Sequence, residues 1–359
     1  MHSSIVTTFD KDAIKLTTTS LYSTSMADNQ ECVSFPVKTL DKEAKLLVHR
    51  PVHHAGAPDT ELVEDFVGSF VHDVQRIQKK ANPELLAQLM LPKDIVGREA
   101  QKLAASFWLW LCVVDDELED TKDDNHFDML ITAVERRFKP LDTSVPLPPY
   151  ACTTVTDKFV ALVNNSSLQS AHEWRQPLFD AVLDILHAFR VERPLLTNAN
   201  ANPYIALQTW MSVRIITISV RPFMILARAG LGLPADYQPS KCALFFNRKK
   251  AERNAAEMKQ MELAVATCTG LQNDLIGWEK DAAENNILNS VEILRLMPAT
   301  TDIQAFEAAE NTHNEGFEKI CESKLQVNGK EAVYVSILKG FTGAMAHWHM
   351  RAKRYATTA

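Results

Sequence analysis

Residues 107–120, FWLWLCVVDDELED, combine eight consecutive apolar side chains with five carboxylates in the last six positions. At about 100° per residue on a helix, Asp115, Asp116 and Glu119 share one face. An acidic run is usually a solvated helix end, but the apolar residues before this one place it against a protein core. A cation would relieve the repulsion among the three carboxylates, and hard oxygen ligands favour Mg²⁺.

The remainder of the chain has a helical pattern. From residue 59 onward apolar side chains recur every three or four positions, as in Leu62, Phe66 and Phe70. We predict helices over about residues 59–80, 94–120, 125–138, 152–165, 173–191, 203–230, 240–280, 286–296, 302–323 and 329–355. The chain has 11 glycines, without a glycine-rich phosphate loop or a nucleophile elbow, which disfavours nucleotide folds and serine hydrolases.

These patterns predict an all-α fold with one helical domain over residues 59–359. Residues 1–58 are rich in Ser and Thr, and the Pro51–Pro58 segment interrupts any regular pattern. We interpret residues 1–58 as a mobile lead-in to the domain.

Composition excludes several function classes. A net charge of -7 and a pI of about 5.9 argue against nucleic-acid binding through a broad basic surface. The longest apolar run, residues 107–114, is far shorter than the roughly 20 residues of a membrane-spanning helix, so we expect a soluble protein without a membrane partner. The six cysteines form no CxxC pair and have no zinc-site spacing. Reduced thiols and a cytoplasmic location are the simplest interpretation.

A second group of potential ligands occurs in the sequence NDLIGWEKD, residues 273–281. Asn273, Gly277 and Asp281 follow one another at intervals of four residues and therefore lie on one helical stripe. Asn273 and Asp281 supply oxygen ligands for a metal. Gly277 has no side-chain oxygen, so a water must replace that ligand or the metal must bind more weakly.

Together, the two segments resemble the metal motifs of class I terpene synthases, in order and in separation. The first motif of that family is DDxx(D/E), and the second is (N/D)Dxx(S/T/G)xxxE. The resemblance, which extends from about residue 60 to Tyr355, implies a helical bundle around an apolar active-site cavity. It also implies three Mg²⁺ ions, with Asp115 as the principal ligand in the first motif. Asp281 stands where the family has the longer Glu.

The resemblance also implies a set of diphosphate-binding side chains. Lys280 precedes the last ligand, as it does in many fungal members, and the terminal WHMRAKRY resembles a W-x5-RY element in which Arg354 and Tyr355 contact diphosphate. Arg214 matches an R-x-x-T segment whose arginine senses diphosphate at a helix break, and Arg221 is a competing choice. A basic helix end is the alternative interpretation of the terminal segment.

The implied activity is that of a fungal-type sesquiterpene cyclase. Such an enzyme ionises an allylic prenyl diphosphate, here farnesyl diphosphate by preference over the geranylgeranyl compound, and cyclises the carbocation. There are two alternatives. One is a chain-elongating prenyltransferase, which normally has two aspartate-rich motifs, and the other is a helical pseudoenzyme or scaffold.

We expect a monomer or homodimer in which Asp115, Asn273 and Asp281 face a common cavity. The candidate wall residues, most of which are better explained as core, are Phe107, Trp108, Trp110, Phe223, Trp278, Phe341 and Trp348.

Overall fold

The computed structural model describes residues 31–39, 42–51, 59–67, 72–139, 150–170, 172–239 and 241–352, and these residues form a helical bundle with one β-hairpin. The strands are β1 (Cys32–Thr39) and β2 (Lys42–His49). The helices are α1 (Glu61–Val67), α2 (His72–Ala81), α3 (Pro83–Met90), α4 (Lys93–Val96), α5 (Arg98–Asp120), α6 (Asp124–Phe138), α7 (Ala151–Asn164), α8 (Arg175–Glu192), α9 (Leu195–Asn198), α10 (Pro203–Thr217), α11 (Val220–Gly230), α12 (Lys241–Ala283), α13 (Ser290–Arg295), α14 (Asp302–Cys321) and α15 (Gly329–His349).

Helix α5 lies at the centre of the bundle, where it packs against α3, α7 and α11. Its apolar run is buried, and aromatic contacts extend from it in several directions. The Trp108 ring meets the Trp348 ring edge to face at 5.1 Å between centroids, and the Trp110 ring stacks on Phe159 at 5.8 Å. Two of these buried indoles donate a hydrogen bond, Trp110 to Thr156 Oγ1 and Trp348 to a backbone carbonyl of α2. The predicted burial of this run is confirmed.

The helix predicted over residues 203–230 is interrupted. Helix α10 ends at Thr217 and α11 begins at Val220, because Ser219 adopts a left-handed conformation with φ 63°. Pro222 lies in the first turn of α11, where its missing N–H costs no intrahelical hydrogen bond. The chain therefore has a helix break at Ser219, five residues after Arg214. The final helix also differs from the prediction, since it ends at His349 rather than near residue 355.

The interpretation of residues 32–49 as part of an irregular lead-in is wrong, because β1 and β2 form a hairpin there. Phe35, Val37, Leu46 and Val48 are buried on one face of the hairpin, which packs against α12, α14 and α15. Side chains of α14 also satisfy the outer edge of β2, since the backbone N–H of Leu47 donates to an asparagine Oδ1 at 2.9 Å. The alternation of apolar residues in this segment is a strand signal that the surrounding polar composition obscured.

One stretch of the described chain, Pro203–Gly230, is long and apolar enough to cross a membrane by length and composition alone. However, 67% of its most apolar window is buried inside the fold. It also contains the break at Ser219. Packing within the helical core accounts for its composition.

Candidate active site

A cavity of about 120 Å³ lies between α5, α8, α10 and α12 and is called the inner cavity below. Helix α5 contributes Trp108, Leu111, Cys112, Asp115 and Glu119 to its wall. Because these residues are spaced by three or four positions, they form one stripe of the helix. The stripe is apolar toward the helix N-terminus and acidic at the last turns, so the inner cavity has an apolar end and an anionic end.

The acidic end contains a cluster that suits a hard cation. One carboxylate oxygen from each of Asp115, Asp116 and Glu119 lies within 4.8 Å of the other two. The neighbouring Glu117 is turned elsewhere, because its Oε2 accepts a hydrogen bond from the backbone N–H of Cys152 at 2.6 Å, at the start of α7. Asp115 and Glu119 line the inner cavity, and Asp116 belongs to the cluster without lining that cavity.

Helix α12 supplies the opposite wall. Asn273, Lys280 and Asp281 line the inner cavity, while Gly277 is buried within the same helix. The predicted juxtaposition of Asp115, Asn273 and Asp281 around one cavity is therefore confirmed. Their roles as metal ligands stay predictions.

The structure distinguishes the two candidate arginines. Arg214 lines the inner cavity, and its Nη2 donates to Asn273 Oδ1 at 2.7 Å and pairs with Asp274 Oδ1 at 2.6 Å. Arg221 points to solvent with 60% of its side chain exposed and lies 3.5 Å from Asp236. Arg214, which the R-x-x-T spacing favoured, is therefore the candidate that lines the cavity, and its role in binding diphosphate stays a prediction.

Asp274 has a structural role that differs from the ligand roles predicted for Asn273 and Asp281 in the same motif. Its side chain is 1% exposed, and its Oδ2 accepts hydrogen bonds from the backbone N–H and the hydroxyl of Ser290. Trp210, whose ring lies under the Arg214 guanidinium at 5.3 Å, donates to the same Ser290 hydroxyl. Asp274 thus anchors Arg214 on α12 and is not free to coordinate a metal.

Burial and neighbouring charges shift the pKa values of two side chains on the α12 wall, Asp281 and Lys280. Burial raises the pKa of Asp281 to about 6, although hydrogen bonding from Asn289 and the nearby Lys280 oppose the rise. Burial disfavours the charged form of Lys280, yet Asp281 and Glu284 raise the pKa of Lys280 overall. Lys280 Nζ lies 3.1 Å from Glu284 Oε2. A cationic lysine and a carboxylate therefore stand side by side at the cavity wall.

Glu192, the last residue of α8, was missed by the sequence analysis. It lines the inner cavity, and its Oε2 is buried without a hydrogen-bond partner among the described residues. Burial raises the pKa of Glu192 to about 8; Arg214 opposes this rise, and Asp115 and Glu119 add to it. A fourth carboxyl thus faces the acidic cluster. One sequence signal could have found Glu192. It is an acidic residue that follows the apolar stripe of α8, in the same way that the acidic residues of α5 follow an apolar run.

This environment predicts a pH dependence of stability in chelator-treated protein. Below about pH 4.5 Glu192 is protonated in both folded and unfolded chains, and its unfavourable ionisation is avoided. Between about pH 4.5 and pH 8 the unfolded chain loses this proton while the folded chain keeps it, so the free energy of unfolding falls; above about pH 8 both states are ionised and the fall levels off. The melting temperature should therefore fall between about pH 5 and pH 8, and less so in Glu192→Gln. Equal falls in parent and variant would contradict this assignment, and added Mg²⁺ should reduce the fall in the parent.

Gly277 allows a prediction about the α12 ligands. Gly277→Ser places a hydroxyl between Asn273 and Asp281 on their stripe, so the Mg²⁺ concentration for half-maximal rate should fall by about twofold to tenfold. Gly277→Ala adds the bulk without the oxygen and is the matched control. After thermal melting has shown that both variants fold, an equal Mg²⁺ requirement in the two would show that this stripe does not chelate.

A wider cleft of about 780 Å³ leads from the surface to the inner cavity. The two spaces share Asp115, Glu119 and Glu192 in their walls, so a ligand that enters the cleft meets the carboxylates first. Of the seven aromatic residues considered for the wall, Trp108 lines the inner cavity; within the described chain the other six pack in the core. Arg354 and Tyr355 lie outside the described residues.

Comparisons with known proteins agree with this architecture. Residues 106–319 match the family described as terpene synthase family 2, C-terminal metal binding. A search among curated proteins gave no match. Among solved structures, α-eudesmol synthase is 12% identical with a TM-score of 0.56, covering 81% of this chain and 92% of its own. A variant of cucumene synthase is 15% identical with a TM-score of 0.57, covering 82% and 95%.

A third similar structure is linalool/nerolidol synthase from Streptomyces clavuligerus in complex with 2-fluorogeranyl diphosphate. It is 17% identical with a TM-score of 0.54, covering 84% of this chain and 97% of its own. Identities this low show the fold alone. The family match includes both the acidic face of α5 and the 273–281 segment of α12, and it extends over more than half of the chain. The chain therefore belongs to the terpene synthases, with the mostly helical class I fold and the metal-binding domain of family 2.

Proposed function

We propose that this chain is a sesquiterpene cyclase that ionises farnesyl diphosphate with Mg²⁺, cyclises the carbocation and releases pyrophosphate. The observation that carries the proposal is the construction of the inner cavity. Its anionic end combines Asp115 and Glu119 of α5 with Asn273 and Asp281 of α12, and its other end is apolar. This division matches a substrate with a diphosphate head and a hydrocarbon tail.

The side chains at the anionic end fit a hard divalent cation. Asp115, Asp116 and Glu119 offer three carboxylate oxygens within 4.8 Å of one another, and Glu192 adds a carboxyl whose buried Oε2 has no hydrogen-bond partner among the described residues. We expect Asp115, with Asp116 and Glu119 in support, and Asn273 and Asp281 to hold three Mg²⁺ ions with the diphosphate. Bound Mg²⁺ supplies Lewis acidity that neutralises charge growing on the leaving group.

Arg214 connects the substrate head to the second motif. In this structure its guanidinium bonds Asn273 Oδ1, which is the oxygen that the metal motif requires. A guanidinium fork forms two parallel hydrogen bonds with a phosphate, so a diphosphate at the cavity competes for Arg214 with Asn273. Release of Asn273 would free its oxygen to hold a metal ion, while Asp274 would continue to hold the arginine on α12. We therefore expect substrate binding and metal binding to be coupled at this site.

Further cations complete the binding of the diphosphate. Lys280 lines the inner cavity and remains charged, as its raised pKa indicates. By position in the terminal motif, Arg354 and Tyr355 are expected to donate hydrogen bonds to the same group. These donors favour the transition state because their interactions strengthen as negative charge develops on the diphosphate.

The apolar end protects the carbocation. Its wall includes Trp108, Leu111, Phe189, Trp210 and Leu288. Such a surface excludes water, which would quench the cation, and the aromatic ring of Trp108 can stabilise positive charge. The shape of this wall, rather than any motif, selects the product.

Support for the substrate class comes from the fold relatives. One of them is solved with 2-fluorogeranyl diphosphate, and others are α-eudesmol and hedycaryol synthases. We therefore propose that the cavity of this chain binds an allylic prenyl diphosphate, and we prefer farnesyl diphosphate. We further expect the enzyme to act in the cytoplasm.

The test is incubation of the full chain with geranyl, farnesyl or geranylgeranyl diphosphate and Mg²⁺, followed by gas chromatography with mass spectrometry. We expect cyclic hydrocarbons or alcohols from farnesyl diphosphate at the highest kcat/KM. A preference for another chain length would correct the substrate. A longer diphosphate, formed only when isopentenyl diphosphate is added, would instead identify a prenyltransferase.

A further inference from the structure

Two cysteines and a histidine, side chains of the types that ligate metals, meet at the open end of the hairpin, and none of them lines the inner cavity. They are Cys32 at the start of β1, His49 at the end of β2 and Cys321 at the end of α14. Cys321 Sγ lies 3.7 Å from Cys32 Sγ and 3.7 Å from His49 Nε2. All three ligand atoms are within 4.8 Å of one another.

Two independent features of the fold bring Cys32, His49 and Cys321 together. Cys32 and His49 are directly opposite each other in the register of the hairpin, which places their side chains on the same face. Helix α14 runs along β2, and the ring of Phe317, one turn before Cys321, packs on the His49 ring at 4.6 Å. The hairpin therefore brings two ligands together, and α14 presents the third.

The separations agree with tetrahedral zinc. With Zn–S of about 2.3 Å and Zn–N of about 2.1 Å, tetrahedral angles place two sulfur ligands about 3.8 Å apart and a sulfur and a nitrogen about 3.6 Å apart. Both distances from Cys321 Sγ match these values. Thiolate and imidazole are also the ligand types that select zinc over magnesium, so this cluster differs in chemistry from the carboxylate cluster of α5.

His49 gives the second reason to expect a ligand. The residue is 2% exposed, and its Nδ1 is buried without a hydrogen-bond partner in the described part of the chain. Among the described residues, the one side chain that forms a hydrogen bond with the ring is the Cys321 thiol, which is a weak partner. A disulfide between Cys32 and Cys321 would consume both thiols and leave the imidazole without a ligand. A metal ion uses all three groups.

We propose that Cys32, His49 and Cys321 bind one Zn²⁺ ion, with a fourth coordination position open to water. Two thiolates balance the charge of the ion, and their protons are released on binding. The site joins residues that are 289 positions apart in the chain. Its consequence is structural, because it fastens the hairpin to the end of α14 and so stabilises the packing of β1 and β2 on the bundle.

The first test is the zinc content of the full chain after purification without chelator and removal of free metal by desalting. By inductively coupled plasma mass spectrometry we expect about one zinc ion per chain. The zinc content of Cys32→Ser and of Cys321→Ser should be at least about tenfold lower. Cys152→Ser alters a thiol in α7 and should retain zinc. Asp115→Asn should also retain it, which separates this site from the proposed magnesium site and from cyclase activity.

The second test uses Co²⁺ as a spectroscopic probe of the metal-free chain. Binding should produce a thiolate-to-cobalt charge-transfer band that is absent in Cys321→Ser, while circular dichroism verifies that both proteins are folded. A folded parent chain that takes up neither zinc nor cobalt would overturn the proposal. So would retention of zinc in the Cys32→Ser, Cys321→Ser double variant, or a disulfide between these cysteines in freshly purified protein.

Discussion

Asp115→Asn is expected to lower kcat about 100-fold to 1,000-fold and to raise the Mg²⁺ concentration for half-maximal rate. The substitution preserves the size of the side chain but removes a negative oxygen ligand from the cluster with Asp116 and Glu119. Loss of one electrostatic stabiliser of a developing anion typically has an effect of this size on turnover. The measurement is the initial rate of pyrophosphate release as a function of Mg²⁺.

The matched control is Asp120→Asn, which removes the same charge from the same helix outside that cluster. We expect its rate to stay within about twofold of the parent, as is usual for surface substitutions. Similar losses in the two variants would show that the net charge of the helix end matters rather than coordination by Asp115. Full activity in Asp115→Asn would remove this residue from the mechanism.

Arg214→Ala is expected to lower kcat about 100-fold or more, because the guanidinium that meets the leaving group is lost. Arg221→Ala is the control and should stay within about twofold, since Arg221 is exposed and lines neither the inner cavity nor the wider cleft. Steady-state kinetics with farnesyl diphosphate measures both. A silent Arg214→Ala together with a damaging Arg221→Ala would reverse the assignment.

Folding must be separated from catalysis in this comparison. Arg214→Ala also leaves the buried Asp274 without its ion-pair partner, and an uncompensated buried charge can cost about 3 to 5 kcal/mol. Arg214→Lys keeps a positive charge beside Asp274 but lacks the planar fork. We expect this variant to melt near the parent temperature and still to lose much of its turnover. Recovery of full turnover by lysine would show that charge alone suffices.

Local sequence patterns predicted the central parts of the fold and of the site. The apolar run of α5 and the four-residue spacing of Asn273, Gly277 and Asp281 depend only on helical periodicity, so they could be recognised without tertiary information. The choice of Arg214 over Arg221 followed from its spacing to a threonine. The structure adds the contacts of Arg214 with Asn273 and Asp274, which no single helix specifies.

Features that depend on long-range packing could not be predicted in this way. Glu192 is a helix-end acid like many others until α8 packs beside α5 and buries its carboxyl. Cys32 and Cys321 are far apart in sequence and become neighbours because the hairpin docks on α14. The hairpin itself lacks a turn signature, and its buried face is stable only against the helices that cover it.

Mg²⁺-dependent release of pyrophosphate from farnesyl diphosphate tests the central claim most directly. The full chain should release pyrophosphate in step with formation of a terpene product, and a chelator should abolish both. Isopentenyl diphosphate, which is not allylic, should yield no pyrophosphate when supplied alone. A folded chain that releases none from geranyl, farnesyl or geranylgeranyl diphosphate in the presence of Mg²⁺ would contradict the account and favour a helical scaffold without catalytic activity.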